Sequence, residues 1–126
     1  IKMSFNRPSY DININQNATF KMSIQLANSG SSSIDITGWS FSGSIKENYT
    51  DPDPALVYFS HSIVDFSQSI VMFTLTPTQT GTLTKGMYYY DIIAVNYSKV
   101  PDEVYRLLQG RAKVSPGVTD GYIIDF

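Results

Sequence analysis

Few side chains in this chain could do acid–base or nucleophilic chemistry. His61 is the single histidine, and there is no cysteine to act as a nucleophile beside it. No serine lies in the G-x-S-x-G pattern that exposes a nucleophile on a strand-to-helix turn. A histidine between Phe59 and Ile63, in a stretch typical of a turn, is more often a solvated side chain than a general base. The sequence therefore predicts no catalytic residue, and we expect a protein that is not an enzyme.

The sequence also gives little evidence for a metal or cofactor site. Asp51 and Asp53 in the TDPDP run are closely spaced carboxylates of a kind that could bind calcium. Alternating Asp and Pro is also ordinary turn chemistry, and no matching acidic cluster lies nearby in the sequence. A single histidine without thiols does not provide a zinc site, and neither kind of glycine-rich phosphate loop occurs. We therefore predict no metal and no cofactor.

The composition also limits the partners. A net charge of -2, with 16% charged residues, provides no field that would draw the protein onto nucleic acid or an anionic membrane. No apolar run approaches the roughly 20 residues that span a bilayer, and the first residues lack the basic and apolar order of a signal peptide. With 126 residues, 42% hydrophobic content and no disulfide, we expect one domain over residues 1–126 that is stabilised by packing.

The elements that position these side chains are predicted to be strands, and two of them form a long hairpin. With the turn centred on Val100, and with Pro101 and Asp102 as turn formers, residues 88–95 lie antiparallel to residues 105–112. The facing pairs on the buried side are then Tyr88 with Ala112, Tyr90 with Gly110 and Ile92 with Leu108. A tyrosine ring over a strand glycine supplies the packing that the glycine lacks, which gives Gly110 a structural role. The pairs on the outer side are Tyr89 with Arg111, Asp91 with Gln109, Ile93 with Leu107 and Val95 with Tyr105.

The rest of the chain also reads as short strands. Apolar and polar residues alternate over 20–26 and 39–45, and further strands are predicted at 10–14, 56–59, 63–66 and 70–75. Thr76 followed by Pro77 is typical of a helix start, so residues 77–83 are expected to form one helical turn. Seven or eight strands without a long helix predict an all-β antiparallel sandwich of two sheets, with a barrel as the weaker alternative.

The large side chains on the inward faces of these strands make up the predicted core. They are Phe20, Met22, Ile24, Trp39, Phe41, Ile45, Phe73, Tyr88, Tyr90, Ile92 and Leu108.

The 9 tyrosines raise a second functional possibility. Aromatic platforms on β-sandwiches can bind sugars by stacking on their rings, so a carbohydrate-binding or host-adhesion module, with a surface glycan as partner, is the alternative. Against it, the tyrosines concentrate in the hairpin, where Tyr88 and Tyr90 are explained by the core. Asp91 is expected on the outer side of its strand, within diagonal reach of Arg111, as a surface ion pair.

Grouped apolar residues that face outward predict a protein interface. One group is Ile93, Val95, Tyr105 and Leu107 on the outer side of the hairpin, and the other is Tyr122, Ile123, Ile124 and Phe126 in the apolar C-terminal tail, residues 117–126. The alternative is that the tail or the first strand of the same chain covers the hairpin group. In either case the surface favours contact with protein over turnover of a substrate.

Four segments carry a resemblance to a known family. They are DITGWSFSGSIKE at 35–47, TPTQTGTL at 76–83, GMYYYDI at 86–92 and RLLQGRAKVSPGVT at 106–119. In combination they resemble small immunoglobulin-like proteins of tailed bacteriophages, especially those of marine and cyanobacterial hosts, over nearly the whole chain. The resemblance implies an immunoglobulin-like sandwich and a non-enzymatic, structural role in the virion, as an accessory module of the tail, baseplate or capsid surface. The implied partners are other virion proteins in symmetric multiple copies.

Overall fold

Two β-sheets make up the protein in the computed structural model, which describes residues 2–3, 9–27, 34–52, 54–84 and 86–116. The predicted all-β sandwich is confirmed, since strands of both sheets contribute to one hydrophobic core. The elements in chain order are β1 (Lys2–Met3), β2 (Ile12–Asn15), β3 (Phe20–Leu26), β4 (Trp39–Lys46), β5 (Val57–Tyr58), β6 (Ser60–Asp65), β7 (Ile70–Leu75), α1 (Pro77–Gly81), β8 (Met87–Asn96) and β9 (Glu103–Ser115).

The two sheets differ in size. The smaller has the strand order β1-β3-β7-β6, and the larger has the order β2-β9-β8-β4-β5. Neighbouring strands are antiparallel except for two pairs, β1 with β3 and β2 with β9, which are parallel. The pairing of β2 with β9 attaches the start of the chain to the edge of the larger sheet, beside the hairpin of β8 and β9.

Most of the predicted core is confirmed. Met22, Ile24, Phe41, Ile45, Phe73, Tyr88, Tyr90, Ile92 and Leu108 are all buried. Phe20 and Trp39 are partly buried and pack against the same cluster. The period of two that predicted β3 and β4 therefore also identified the face that each strand buries.

The short helix α1 begins where the sequence predicted. The backbone N–H of Gln79 donates to Thr76 Oγ1 (3.2 Å), and the N–H of Thr76 donates to Gln79 Oε1 (2.9 Å), which forms a capping box ahead of Pro77. The helix ends at Gly81, two residues before the predicted end, because the N–H of Thr82 already closes back on the Gln79 carbonyl (3.2 Å).

The predicted hairpin register is confirmed over one half and wrong over the other. Tyr88, Tyr90 and Ile92 face Ala112, Gly110 and Leu108 as expected. Beyond Ile92 the register shifts by one, so that Ile93 faces Arg106 and Val95 faces Val104, and the predicted pairs Ile93–Leu107 and Val95–Tyr105 do not form. Leu107 is the extra residue of a β-bulge, in which two residues of one strand oppose one residue of the other. It turns into the core beside Leu108, and only 1% of its surface is exposed.

Gly110 lies opposite Tyr90 as predicted, and a second, steric reason favours a glycine at this position. A Cβ atom on Gly110 would lie 2.8 Å from the carbonyl carbon of Tyr10 and closer still to the carbonyl oxygen. That same oxygen accepts a hydrogen bond from the Tyr90 hydroxyl, and the Tyr10 N–H donates to the Gln109 carbonyl (2.9 Å). The glycine therefore makes room for the backbone that leads into β2, in addition to lying opposite a tyrosine.

The β6–β7 turn depends on one carboxylate. Asp65 Oδ1 accepts hydrogen bonds from the Ser67 hydroxyl (2.7 Å), the Ser67 N–H (2.9 Å) and the Gln68 N–H (3.2 Å). These bonds favour the charged form and lower the pKa of Asp65, with the Ser67 hydroxyl as the largest cause. A lowered pKa in the folded state means that the stabilisation is present above the unfolded pKa, near 3.8, and is lost as the pH falls through the folded pKa.

We expect the Asp65→Ala variant to have a lower Tm than the wild type at pH 7, and the difference to narrow as the pH is lowered from about 4 towards 2. Asp65→Asn keeps an oxygen acceptor and should lose less. Thermal unfolding followed by circular dichroism across this pH range would check both. A difference in Tm that is the same at pH 7 and at pH 2 would show that the charged carboxylate is not what stabilises the turn.

Candidate ligand groove

A groove of about 730 Å³ lies on the outer face of the larger sheet. Its floor is formed by β4, β8 and β9, and residues of the 47–56 loop and of β5 form its rim. The volume falls within the range of about 300–1,000 Å³ that is usual for small-ligand sites. The polar and aromatic residues that line it are Ser42, Ser44, Lys46, Tyr49, Tyr58, Tyr89, Tyr90, Asp91 and Arg106.

The strand alternation that builds the core also builds this floor. Tyr90 and Ile92 of β8 point into the core, so the intervening residues Tyr89, Asp91 and Ile93 point to the opposite face. In β4, Ser44 pairs with Asp91 and Ser42 pairs with Ile93, which sets two serines beside the β8 residues. One pair of strands thus supplies both an apolar inner face and a polar outer face.

Asp91 and Arg106 form an ion pair on the floor, and Lys46 is a third charged residue of the lining. Arg106 Nε lies 3.3 Å from Asp91 Oδ2, and both side chains remain partly exposed. Asp91 is therefore on the outer face as predicted, but its predicted partner Arg111 is wrong. The bulge at Leu107 places Arg106 opposite Ile93, diagonal to Asp91, whereas Arg111 lies 3.9 Å from Asp11. An exposed pair of this kind adds only about 0–1 kcal/mol to stability.

Two tyrosines are held in fixed positions around the groove. The ring centroids of Tyr49 and Tyr89 are 4.4 Å apart, and the Tyr49 hydroxyl donates to the Gly110 carbonyl (3.3 Å). Burial, followed by the nearby Tyr89, raises the pKa of Tyr49, which favours the protonated hydroxyl that donates to Gly110. The Tyr58 hydroxyl accepts a hydrogen bond from the Ala55 N–H (2.9 Å). Tyr49 is nevertheless 54% exposed and Tyr58 47% exposed, so both present surface to a ligand.

The 47–56 loop contains the calcium candidate. The Asp51 carboxylate accepts a hydrogen bond from the Asn48 N–H (3.0 Å), and the Asp51 carbonyl accepts one from Lys46 Nζ (3.1 Å). Asp51 thus closes a turn, as the turn interpretation expects, and Asp53 lies outside the described residues. Among the residues that the structure describes, no three His, Asp or Glu side chains converge on a possible metal position.

His61 does not line the groove. It lies in strand β6 of the smaller sheet, so the predicted turn context is wrong, and its side chain is exposed. Its ring centroid lies 6.1 Å from that of Phe41 and 6.4 Å from that of Phe73. The His61 imidazole therefore packs at the solvent-exposed edge of the hydrophobic core.

The predicted apolar group on the hairpin is only partly outward. Ile93 lines the groove, and Val95 is partly exposed on the same face. The outward positions predicted for Tyr105 and Leu107 are wrong, because the bulge turns Leu107 into the core and moves Tyr105 to the inner side. The ring of Tyr105 stacks on Trp39 there, with centroids 5.6 Å apart. The tail residues Tyr122, Ile123, Ile124 and Phe126 lie outside the described residues.

Comparison with known proteins does not identify a function for this arrangement. No protein-family model matches the chain, and no curated protein is significantly similar to it in sequence. Over the described part of the chain, the only helix, α1, is a single turn and far too short to cross a membrane.

Sequence reasoning missed the groove as a site. The alternation in β4 and β8 could have indicated a polar outer face with Ser44, Tyr89 and Asp91 side by side. The contributions of Tyr49 and Arg106 depend on a loop path and on a β-bulge. The loop path has no periodic signal in the sequence, and the bulge is indicated only by a charged residue at an inward position of the strict alternation.

Proposed function

We propose that this chain is a non-enzymatic, immunoglobulin-like structural module of a tailed-phage particle, held by contacts with other virion proteins in symmetric multiple copies. The virion assignment rests on the four segments that resemble phage immunoglobulin-like proteins. The strand order supports the immunoglobulin-like part. Immunoglobulin sandwiches have an ABED sheet and a GFC sheet, and the orders β1-β3-β7-β6 and β9-β8-β4 correspond to these. β1 departs from the pattern, since it runs parallel to β3.

The absence of a catalytic role is supported by the layout of titratable groups. Asp91 is the one carboxylate among the described residues that line the groove, and it is paired with Arg106. Hydrolysis of a glycosidic bond usually requires two carboxylates that flank the bond. His61, the single imidazole, belongs to the other sheet. The groove therefore suits binding better than turnover.

The observation that carries the docking proposal is the exposed apolar surface at the end of the β8–β9 hairpin. Val100 is 99% exposed, Val104 62% and Tyr97 56%. Grouped apolar residues that water surrounds in the isolated protein are typical of surfaces that become covered in an assembly. They replace Tyr105 and Leu107 as the expected contact residues of the hairpin.

Quantitative mass spectrometry of purified particles tests this proposal. We expect the wild-type chain to be present in many copies, and the double variant Val100→Ser/Val104→Thr to be incorporated about 10-fold less, as for the loss of about 1.4 kcal/mol of contact energy. Phe66→Ser, which removes an exposed ring from the turn of the other sheet, serves as the control and should be incorporated normally. Absence of the wild-type chain from particles would refute the virion role, and normal incorporation of the double variant would refute the hairpin as the interface.

A further inference from the structure

The groove carries an inference that goes beyond docking. We propose that it is a saccharide-binding site, in which Tyr49 and Tyr58 contact the C–H faces of sugar rings and the Asp91–Arg106 pair bonds to their hydroxyl groups. The sugar-binding alternative that the tyrosine content raised thus receives a definite location. The groove lies beside the hairpin surface proposed for docking and shares only Val104 with its named residues.

The aromatic side chains of the site already have packing and hydrogen-bond partners within the chain. Tyr49 packs on Tyr89 at 4.4 Å and is tied to the Gly110 carbonyl, and the Tyr58 hydroxyl is tied to Ala55. A ring that is already fixed loses little conformational entropy when a ligand covers it, which favours binding. The exposed ring faces match the apolar C–H faces of a pyranose, because both surfaces are flat and poorly hydrated.

The polar part of the site matches vicinal hydroxyl groups. The Asp91 carboxylate can accept two hydrogen bonds, and the Arg106 guanidinium is a planar group with several N–H donors. The two groups lie side by side, 3.3 Å apart, at one position of the floor. Neighbouring hydroxyls on a sugar ring can each donate and accept, so one ring can bond to both groups at once. Ser42 and Ser44 add hydroxyl groups on the adjacent strand.

Three other ligand classes fit less well. An extended peptide binds along a free strand edge, whereas Tyr89 and Asp91 lie on β8, which pairs with β4 on one side and with β9 on the other. A purely apolar ligand would bury the Asp91–Arg106 pair, which is costly without new hydrogen bonds. Nucleic acid binding depends on clustered cations, whereas Asp91 neutralises Arg106 here, Lys46 is the one further cation among the described lining residues, and the protein has a net charge of -2.

Binding of the full chain to a glycan array, followed by titration of the best-binding saccharide, tests the proposal. We expect Tyr49→Ala and Asp91→Ala each to weaken binding about 10-fold or more, with a Tm close to that of the wild type. The matched controls are Tyr97→Ala, an exposed tyrosine on the hairpin turn, and Asp102→Ala, an exposed carboxylate on the same turn, and both should bind within about 2-fold of wild type.

A second measurement detects saccharide binding that is too weak for the array. Titration with single hexoses at tens of millimolar should shift the NMR ring resonances of Tyr49 and Tyr58. If neither the array nor this titration shows binding, the proposal is refuted. It is also refuted if bound saccharide is lost equally with Tyr97→Ala, or if binding responds to salt and not to Tyr49→Ala. Val104 also lines the groove, so the substitution used for this separation is Val100→Ser alone, which lies outside the groove. It should bind saccharide normally, so failure of one proposal can be told from failure of the other.

Discussion

The Gly110→Ala variant is expected to lose on the order of 3 kcal/mol of unfolding free energy, although it adds a single methyl group. The added carbon would lie 2.8 Å from the Tyr10 carbonyl carbon and 3.2 Å from Asp11 Oδ1. The Tyr10 backbone cannot move away cheaply, since its N–H bonds to Gln109 and its carbonyl accepts from Tyr90. Relief of the clash therefore breaks these bonds and loosens the parallel pairing of β2 with β9.

Chemical denaturation measures this loss directly, and the chain provides a matched control. A methyl group added at Gly86 meets no atom within 4 Å, so Gly86→Ala should change the unfolding free energy by no more than about 0.5 kcal/mol. Hydrogen exchange adds a local measurement, since the amides of β2 should exchange faster in Gly110→Ala than in the wild type. If Gly110→Ala were as stable as Gly86→Ala, the backbone of Tyr10 would not lie against this glycine.

Strand β2 shows which features of the fold the sequence indicates and which it does not. Ile12 and Ile14 alternate with polar residues, which is enough to predict a strand near 10–14 and to identify its buried face. Alternation contains no information about which strand lies next to it. The parallel pairing of β2 with β9 joins residues about 100 positions apart, for example Ile12 with Ala112, and only the packed sheets determine it. The steric reason for Gly110 therefore could not be read from the sequence.

The bulge, by contrast, had a signal in the sequence. A strict period of two through β9 that buries Leu108 would also bury Arg106, opposite Ala94 in the straight register. An unpaired guanidinium in an apolar core costs several kcal/mol, whereas Leu107 on the outer face would leave a large apolar side chain in water. One extra residue in the strand avoids the buried guanidinium and the exposed leucine, because it turns Leu107 inward and Arg106 outward. A charged residue at a predicted inward position was the indication of a bulge at this place.

The arrangement of side chains in the groove depends in part on this bulge. Tyr89, Asp91 and Ser44 lie on the outer face through simple alternation. Arg106 reaches Asp91 only because of the bulge, and Tyr49 reaches Tyr89 only through the path of the 47–56 loop. The tyrosine content of the sequence indicated a sugar partner as the alternative function. The positions of the polar and aromatic groups relative to one another are determined only in the folded chain.

Leu107→Ala is expected to cost about 3 kcal/mol of unfolding free energy, within the range of 2–5 kcal/mol found for buried leucines. Val104→Ala, three residues earlier in the same strand, should cost no more than about 0.5 kcal/mol, since Val104 is 62% exposed. Both substitutions remove an aliphatic side chain from β9, so the comparison isolates the direction in which each side chain points. Denaturant titration of the two variants beside the wild type gives the two values.

The same comparison bears on the groove. Equal costs for the two variants would mean that Leu107 does not enter the core and that the bulge is absent. The straight register would then return Arg106 to the inner face, opposite Ala94, and remove the cation that pairs with Asp91. A large difference between the variants would instead place Arg106 on the outer face, where a saccharide hydroxyl can reach it. One stability measurement on two aliphatic residues thus tests the register of the hairpin and the charge layout on which the proposed ligand site depends.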